Sequence, residues 1–390
     1  MRLRLERRLD VPRPLIWLMP VVSVALALLA GALFLHLTGS DPGEVYGMML
    51  RGAFGSRYGT TETFVKAIPL MLCGLGVGIA FRMLLWNIGA EGQLYMGAFA
   101  ATWVCLSFPE GPAYLLVPAM MLAGLLAGGV WALLPAIPRA YLKTNEVITT
   151  LMLNYVAILW VSYLVHGPWR DPAGLNFPLT PPFPRSAWLP TFPGTRVHVG
   201  LVIAVVAAAL LSVVLWRTRW GYEVRVIGES AQAARYAGMN VERNILLVMF
   251  LSGALAGLAG MCEVSGVIHR LQHQVSPGYG YSAIIVAWLA RLNPWAILVV
   301  SILFGGLLVG GYAVQLAGIP AAVAYMLQGA ILFFVLGGEF LTRYRIRLVV
   351  SPGPGPVVAA GAGGDGSPAG TAAPRSAGRG SKGGTREGGV

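Results

Sequence analysis

Between residues 15 and 340 the chain is a succession of apolar runs, and its charges are held to the gaps between them. A run of roughly 18 or more apolar residues matches the hydrocarbon thickness of a bilayer. Only a helix or a closed barrel satisfies its own backbone there, so such runs predict membrane helices. Ten segments qualify, at 15–38, 65–83, 88–107, 113–135, 147–167, 198–216, 245–267, 279–291, 294–316 and 320–340. Several contain Gly or Pro, which membrane helices tolerate when neighbours re-satisfy the backbone. The segment 279–291 is too short to cross about 30 Å of hydrocarbon straight, so a re-entrant or broken element is expected. The reading is an all-α polytopic helix bundle of about ten transmembrane segments.

Charged residues are 11% of the chain, against about 25% in soluble domains. The net charge is nonetheless +12. Because the Lys and Arg lie beside apolar segments, the charge fits anchoring at membrane lipid rather than nucleic-acid binding. Cys73, Cys105 and Cys262 all lie within apolar runs and have no metal-ligand spacing, so they are read as small buried hydrophobes.

The first 14 residues are basic, and the apolar run after them is longer than a signal-peptide core of about 7–15 residues. It is expected to stay as a helix. With a cytoplasmic N-terminus, Arg82, Arg139, Lys143, Arg217, Arg219 and Arg225 fall inside, and Arg51, Lys66, Arg170 and Arg270 outside. The full tally favours this orientation more than twofold, so both termini are placed in the cytoplasm. The organisation is then a basic N-terminus (1–14), a transmembrane domain (15–345) and a tail (346–390) rich in Gly, Pro, Ala and Ser. A tail of that composition is expected to be disordered. Within the transmembrane domain, residues 168–197 form an external loop rich in Pro and aromatics, and 217–244 a cytoplasmic loop.

The spans group as one, four, one, four. The second runs outside to inside and the seventh the reverse, so the two sets of four predict inverted repeats, a common transporter plan. "NIGAEGQL" joins the first two spans of one set, and "QVSPGYGYS" those of the other. Both are polar, glycine-bearing breaks at corresponding places, and such breaks point to a translocation path.

The polar residues inside apolar runs carry what chemistry there is. In "WNIGAEGQLYMGAF" Asn87 is suited to cap a helix. Glu91 is costly against lipid, by roughly 2.5–3.5 kcal/mol at mid-bilayer, so it faces water, a cavity or a cation. Gln93 follows two residues on. In "KTNEVITTLMLNYVA" Glu146 suits a first helical turn, while Asn154 and Tyr155 lie deeper, where a buried amide needs a partner. Asn87, Glu91, Gln93, Asn154 and Tyr155 are the candidate pathway residues. The segment "RWGYEVRVIGESAQAARYAGMNVERN" predicts a short helix capped by Ser230 and stopped by Gly238. That helix suits either a lipid surface or the groove of a soluble partner.

No G-x-x-x-x-G-K-[ST] stretch is present, so no Walker site is expected. The five histidines form no H-E-x-x-H pair, and no metal or other cofactor is expected. Few acidic residues lie within the spans, which argues against an ion-coupled transporter. No nucleophile or paired-carboxylate constellation supports an intramembrane enzyme.

Three motifs in combination, "NIGAEGQL", "NEVITTLMLNY" and "RVIGESAQAARYAGMN" followed by "LSGALAGLAG", resemble the permease subunits of bacterial ABC importers. The likeness covers roughly residues 15–345. It is nearest to the branch with ribose and branched-chain amino-acid permeases, and within it to nucleoside-type permeases linked to basic-membrane-protein lipoproteins. The resemblance implies a permease in the bacterial cell membrane that hydrolyses no ATP itself. Its partners would be an ATP-binding-cassette ATPase, a second permease, like or unlike, and an external substrate-binding lipoprotein. The solute would be a nucleoside, with a sugar or a branched-chain amino acid as the alternative. It also implies that residues 228–240, with Gly228, Ser230, Ala231, Ala234, Arg235 and Gly238, couple to the ATPase.

Overall fold

The computed structural model describes residues 2–7, 13–320 and 322–349; of the tail expected to be disordered at 346–390, residues 346–349 lie in a strand instead, and the rest lies outside the described residues. Thirteen α-helices are present among them: α1 (Arg13–Leu37), α2 (Pro42–Phe54), α3 (Arg57–Arg82), α4 (Ala90–Ser107), α5 (Ala113–Leu142), α6 (Glu146–His166), α7 (Gly200–Arg217), α8 (Arg219–Glu229), α9 (Ala231–Tyr236), α10 (Val241–Glu263), α11 (Tyr279–Leu289), α12 (Pro294–Leu316) and α13 (Ala322–Arg343). Two short strands, β1 (Arg2–Arg7) and β2 (Tyr344–Val349), pair in a sheet that the sequence reading did not include.

Each of the ten apolar segments falls on a helix, but among the described residues six helices are long and apolar enough to cross a membrane: α3, α5, α6, α7, α10 with its following turn, and α12. Helix α11 has 11 residues, about 16 Å of rise, and so is short of a bilayer. Helix α4 has the length, but its first turn carries both Glu91 and Gln93.

Two helices were not expected. Asp41 caps α2 through its carboxylate, which accepts from Gly43 N at 2.8 Å, and Pro42 occupies the first turn, where its missing N–H is harmless. Helix α8 buries Gly221, Val224 and Ile227 on one stripe and leaves Tyr222, Arg225 and Glu229 exposed. It is an amphipathic helix seated on the bundle.

Helices α3 and α10 make the interior, with nearly all of each buried from mid-length onward. Helix α10 packs on α3, α4 and α5, and α3 packs on α10, α11 and α12. The α10 contacts are backbone against backbone. A Cβ on Gly257 would stand 2.2 Å from Gly124 O, and one on Gly128 would stand 2.3 Å from Gly253 O. Small residues four apart on both helices allow this approach, which replaces the hydrophobic drive that lipid cannot supply. Outward, α5 shows Leu115, Leu122 and Leu126, and α7 shows Val206, Leu210 and Val213. So large an apolar surface suits lipid contact.

Candidate functional site

The chain between α3 and α4 turns back sharply, and its polar residues are sealed inside. Asn87, Glu91, Gln93 and Asn154 are all buried. Asn87 and Gln93 pair reciprocally: each amide nitrogen donates to the other's carbonyl oxygen at 3.0 Å. Asn87 also donates to Ser252 Oγ on α10 at 2.8 Å and accepts from Gly89 N at 3.0 Å. Asn154 accepts from Gly92 N at 2.8 Å and donates to Ile88 O at 2.9 Å and to the Tyr281 hydroxyl at 3.2 Å. These two amides thus satisfy one another's surroundings and lock the α3–α4 turn to α6, α10 and α11. A satisfied network of this kind fixes one arrangement.

Glu91 holds the centre. It is 2% exposed, and its carboxylate accepts from Gly280 N at 2.7 Å, while the neighbouring Ser276 Oγ accepts from Gly278 N at 3.0 Å and Tyr279 N at 2.9 Å. Gly278 takes φ +99° and precedes α11, whose first free N–H groups are shared between Ser276 Oγ, which takes Tyr279 N, and Glu91, which takes Gly280 N. Those N–H groups are the positive end of a helix dipole and have no partner within their own helix. A Cβ on Gly280 would stand 2.3 Å from Glu91 N, so the first turns of α4 and α11 meet backbone to backbone. Glu91 is therefore neither a solvated first-turn residue nor set against lipid: it ties two short helices together at their N-termini.

Of the five candidate pathway residues the structure gathers four. Tyr155 is 55% exposed and stands outside that network. Ser252, Ser276, Gly280 and Tyr281 complete the site; the last three lie in the polar break "QVSPGYGYS", though none was named as a candidate residue, and Ser252 lay in no such break. Glu146 does more than face its helix dipole. It pairs with Arg139 at 3.1 Å and accepts from Trp86 N at 3.3 Å, which fastens α5 and α6 to the same turn.

On the other side of the bundle α10 ends in a π turn, Val264–Ile268. The loop 168–197 lies along it. Leu189 N donates to Ser265 O at 3.1 Å, Phe183 N to His269 O at 2.8 Å and Thr180 N to Leu271 O at 3.0 Å. Trp188 stacks on His269 with ring centres 3.7 Å apart. Burial holds His269 below the ordinary histidine value, against the raising effect of its bond to Ser265 O.

The predicted helix after Ser230 is α9. Ser230 Oγ accepts from Ala233 N at 3.2 Å, and Gly238 follows the helix with φ +78°, a left-handed conformation suited to glycine. Ala231 and Ala233 are exposed, but Ala234 is fully buried against its own chain. Arg235 already has an acidic partner, Glu242, at 2.5 Å. Gly228 lies so close to the end of α3 that a Cβ there would stand 2.1 Å from Arg82 O. The outward face is thus Ala231, Gln232, Ala233 and Tyr236, not Ala234. Beside it a cavity of about 930 Å³ is lined by Arg217, Trp220, Glu223 and Arg243 among others.

The family model of the branched-chain amino acid transport system permease component matches residues 59–336, from the start of α3 to the last turns of α13. The chain belongs to this permease family. The glucose ABC transporter permease protein TsgB13 of Haloferax volcanii is 39% identical over 358 residues, 89% of this chain and 94% of its own. The guanosine ABC transporter permease protein NupP of Bacillus subtilis is 34% identical over 85% of this chain and 95% of its own. The nucleoside ABC transporter permease protein NupB of Lactococcus lactis is 30% identical, over 82% and 90% respectively. The permease is thus the membrane component of an ABC importer, and the motifs that carried the resemblance lie within the matched range.

Proposed function

We propose that this permease carries nucleosides inward across a bacterial cell membrane, with monosaccharides as the second reading. The observation that carries the solute class is the alignment, over most of the chain, with relatives named for guanosine, nucleosides and glucose. These solutes share an uncharged, hydroxylated ring. The glucose relative has the higher identity, which is why the sugar reading is kept. Uptake of labelled guanosine and of labelled glucose by cells holding the complete transporter decides between them. Guanosine uptake that glucose does not compete away is the expected result. Glucose uptake without guanosine uptake would reverse the order.

In this reading the chain crosses the membrane ten times with both termini in the cytoplasm, and α3–α6 and α10–α13 are inverted repeats. The reciprocal packing supports it: α3 lies on α11 and α12, and α10 lies on α4 and α5. The first helix of each set is thus inserted against the second and third helices of the other. A second permease completes the pathway, and a binding lipoprotein presents solute at the face formed by residues 168–197.

The ATPase docks on α8 and α9. Small exposed side chains at Ala231 and Ala233 suit close approach of a partner groove, and Gly228 seats α8 on the end of α3, one route for a push to enter the bundle. Ala233→Trp is expected to reduce recovery of the ATPase in pull-down at least fivefold and to stop uptake, while membrane insertion stays normal. A lipid-facing α9 would tolerate tryptophan at the interface, so undiminished recovery with normal uptake would end the docking assignment.

A further inference from the structure

Glu62 and Lys66 are four residues apart on α3 and share a face. Glu62 pairs with Arg196 at 3.0 Å, and the Arg196 side chain is half exposed. One turn deeper, Lys66 Nζ stands 3.9 Å from Glu263 Oε1 and 5.9 Å from the centre of the Tyr279 ring. Glu263 is 3% exposed and Tyr279 fully buried. A track of alternating charge therefore leads from the external surface to the start of α11, one residue before the Gly280 that is bonded to Glu91.

The three inner groups do not satisfy one another. At 3.9 Å the ammonium and carboxylate are beyond hydrogen-bond range. Glu263 Oε2 and the Tyr279 hydroxyl are buried and have no hydrogen-bond partner among the described residues. A buried ion pair repays desolvation only with tight geometry and its remaining lone pairs satisfied. The pair is thus an ion pair without a hydrogen bond, and Glu263 Oε2 keeps its capacity to accept one. Glu263 is also the last residue of α10 before the π turn, a distortion often found at functional sites.

We propose that Lys66, Glu263 and Tyr279 form a solute-contact site that recognises the ring hydroxyls of a neutral polyol such as a ribose or hexose. The carboxylate accepts from a hydroxyl, the ammonium donates to one, and the phenol does either. A vicinal diol supplies both donors and acceptors at a spacing that bridges the open pair, and the opposite charges suit a solute with no net charge. The inference rests on the transport reading above and adds the residues that read the solute.

The test uses the complete transporter in cells, with membrane levels of each variant measured, and compares uptake of guanosine with that of 2′,3′-dideoxyguanosine. The wild type is expected to prefer guanosine. Glu263→Gln and Tyr279→Phe, both close in shape to the originals, are expected to lower guanosine uptake about tenfold and to erase most of that preference. Lys66→Met is expected to act in the same direction. Variants at normal membrane levels that keep the wild-type ratio of the two solutes would overturn the site, whether or not absolute uptake falls, because a structural role lowers both solutes alike. A wild type that imports neither guanosine nor glucose would instead sink the solute class and this site with it, a result visible before any variant is made.

Discussion

Glu91→Ala unseats α11. The substitution removes the acceptor of the Gly280 N–H, which is buried where solvent does not replace it. Hydrogen bonds to a charged group contribute about 1.5–3 kcal/mol each, and a buried donor left unmet costs about as much again. The expected result is a lower melting temperature of the purified protein and uptake reduced at least tenfold. Glu91→Gln keeps an acceptor but loses the charge that answers the dipole of α11, so its losses should be smaller in both measurements. This ranking separates a tie between helices from a residue that merely lines the path. A lining residue would lose uptake with unchanged melting in both variants, and that pattern would refute the tie.

Gly257→Leu separates the helices of the core. The new Cβ would stand 2.2 Å from Gly124 O and 2.9 Å from Gly128 Cα, and both are backbone atoms that no rotamer change can move aside. Overpacking in a core usually costs about 1–3 kcal/mol. A forced separation along the α5–α10 seam should exceed that range, because each Cα–Cα approach along it is lost together. Little folded protein should be recovered from membranes. By contrast Gly329→Ala, with no heavy atom within 4 Å of the added methyl, should behave as wild type. Normal recovery of Gly257→Leu would show that the seam is looser than the backbone distances imply.

The helices were legible where apolar side chains run on, and less so where a helix mixes charge with apolar groups. Glu44 and Arg51 obscured α2, although Asp41 and Pro42 form a readable start signal. Helix α8 has the spacing Gly221, Val224, Ile227, but in a segment with four charges it read as a loop. The strands β1 and β2 alternate Arg with Leu or Ile over much of their length, a period of two hidden by their position outside the apolar runs. For the site, an amide inside an apolar run announces itself because it needs a partner, which is how Asn87, Gln93 and Asn154 were found. The partner does not announce itself. Ser252 is 165 residues from Asn87, and Gly280 is 189 residues from Glu91. A serine or a glycine carries no local sign of what tertiary packing brings to it. Lys66 and Glu263 lay apart in sequence in the same way, and only their convergence marks them.

The reciprocal insertion of α3 and α10 also bears on how the protein is made. Arg82, at the end of α3, donates through Nε and Nη2 to Leu292 O, 210 residues later in the chain. At a synthesis rate of about 5–20 residues per second, α3 waits roughly 10–40 s for α11 and α12 to emerge. During that time a helix destined to be almost wholly enclosed has α2, α7 and then α10 beside it, but the face that α11 and α12 will cover is left to lipid or a membrane insertase. Neither half of the chain can therefore mature alone. A ribosome that stalls before α12 would release a product with an open groove along α3, the kind of surface by which a membrane quality-control protease can select its substrates.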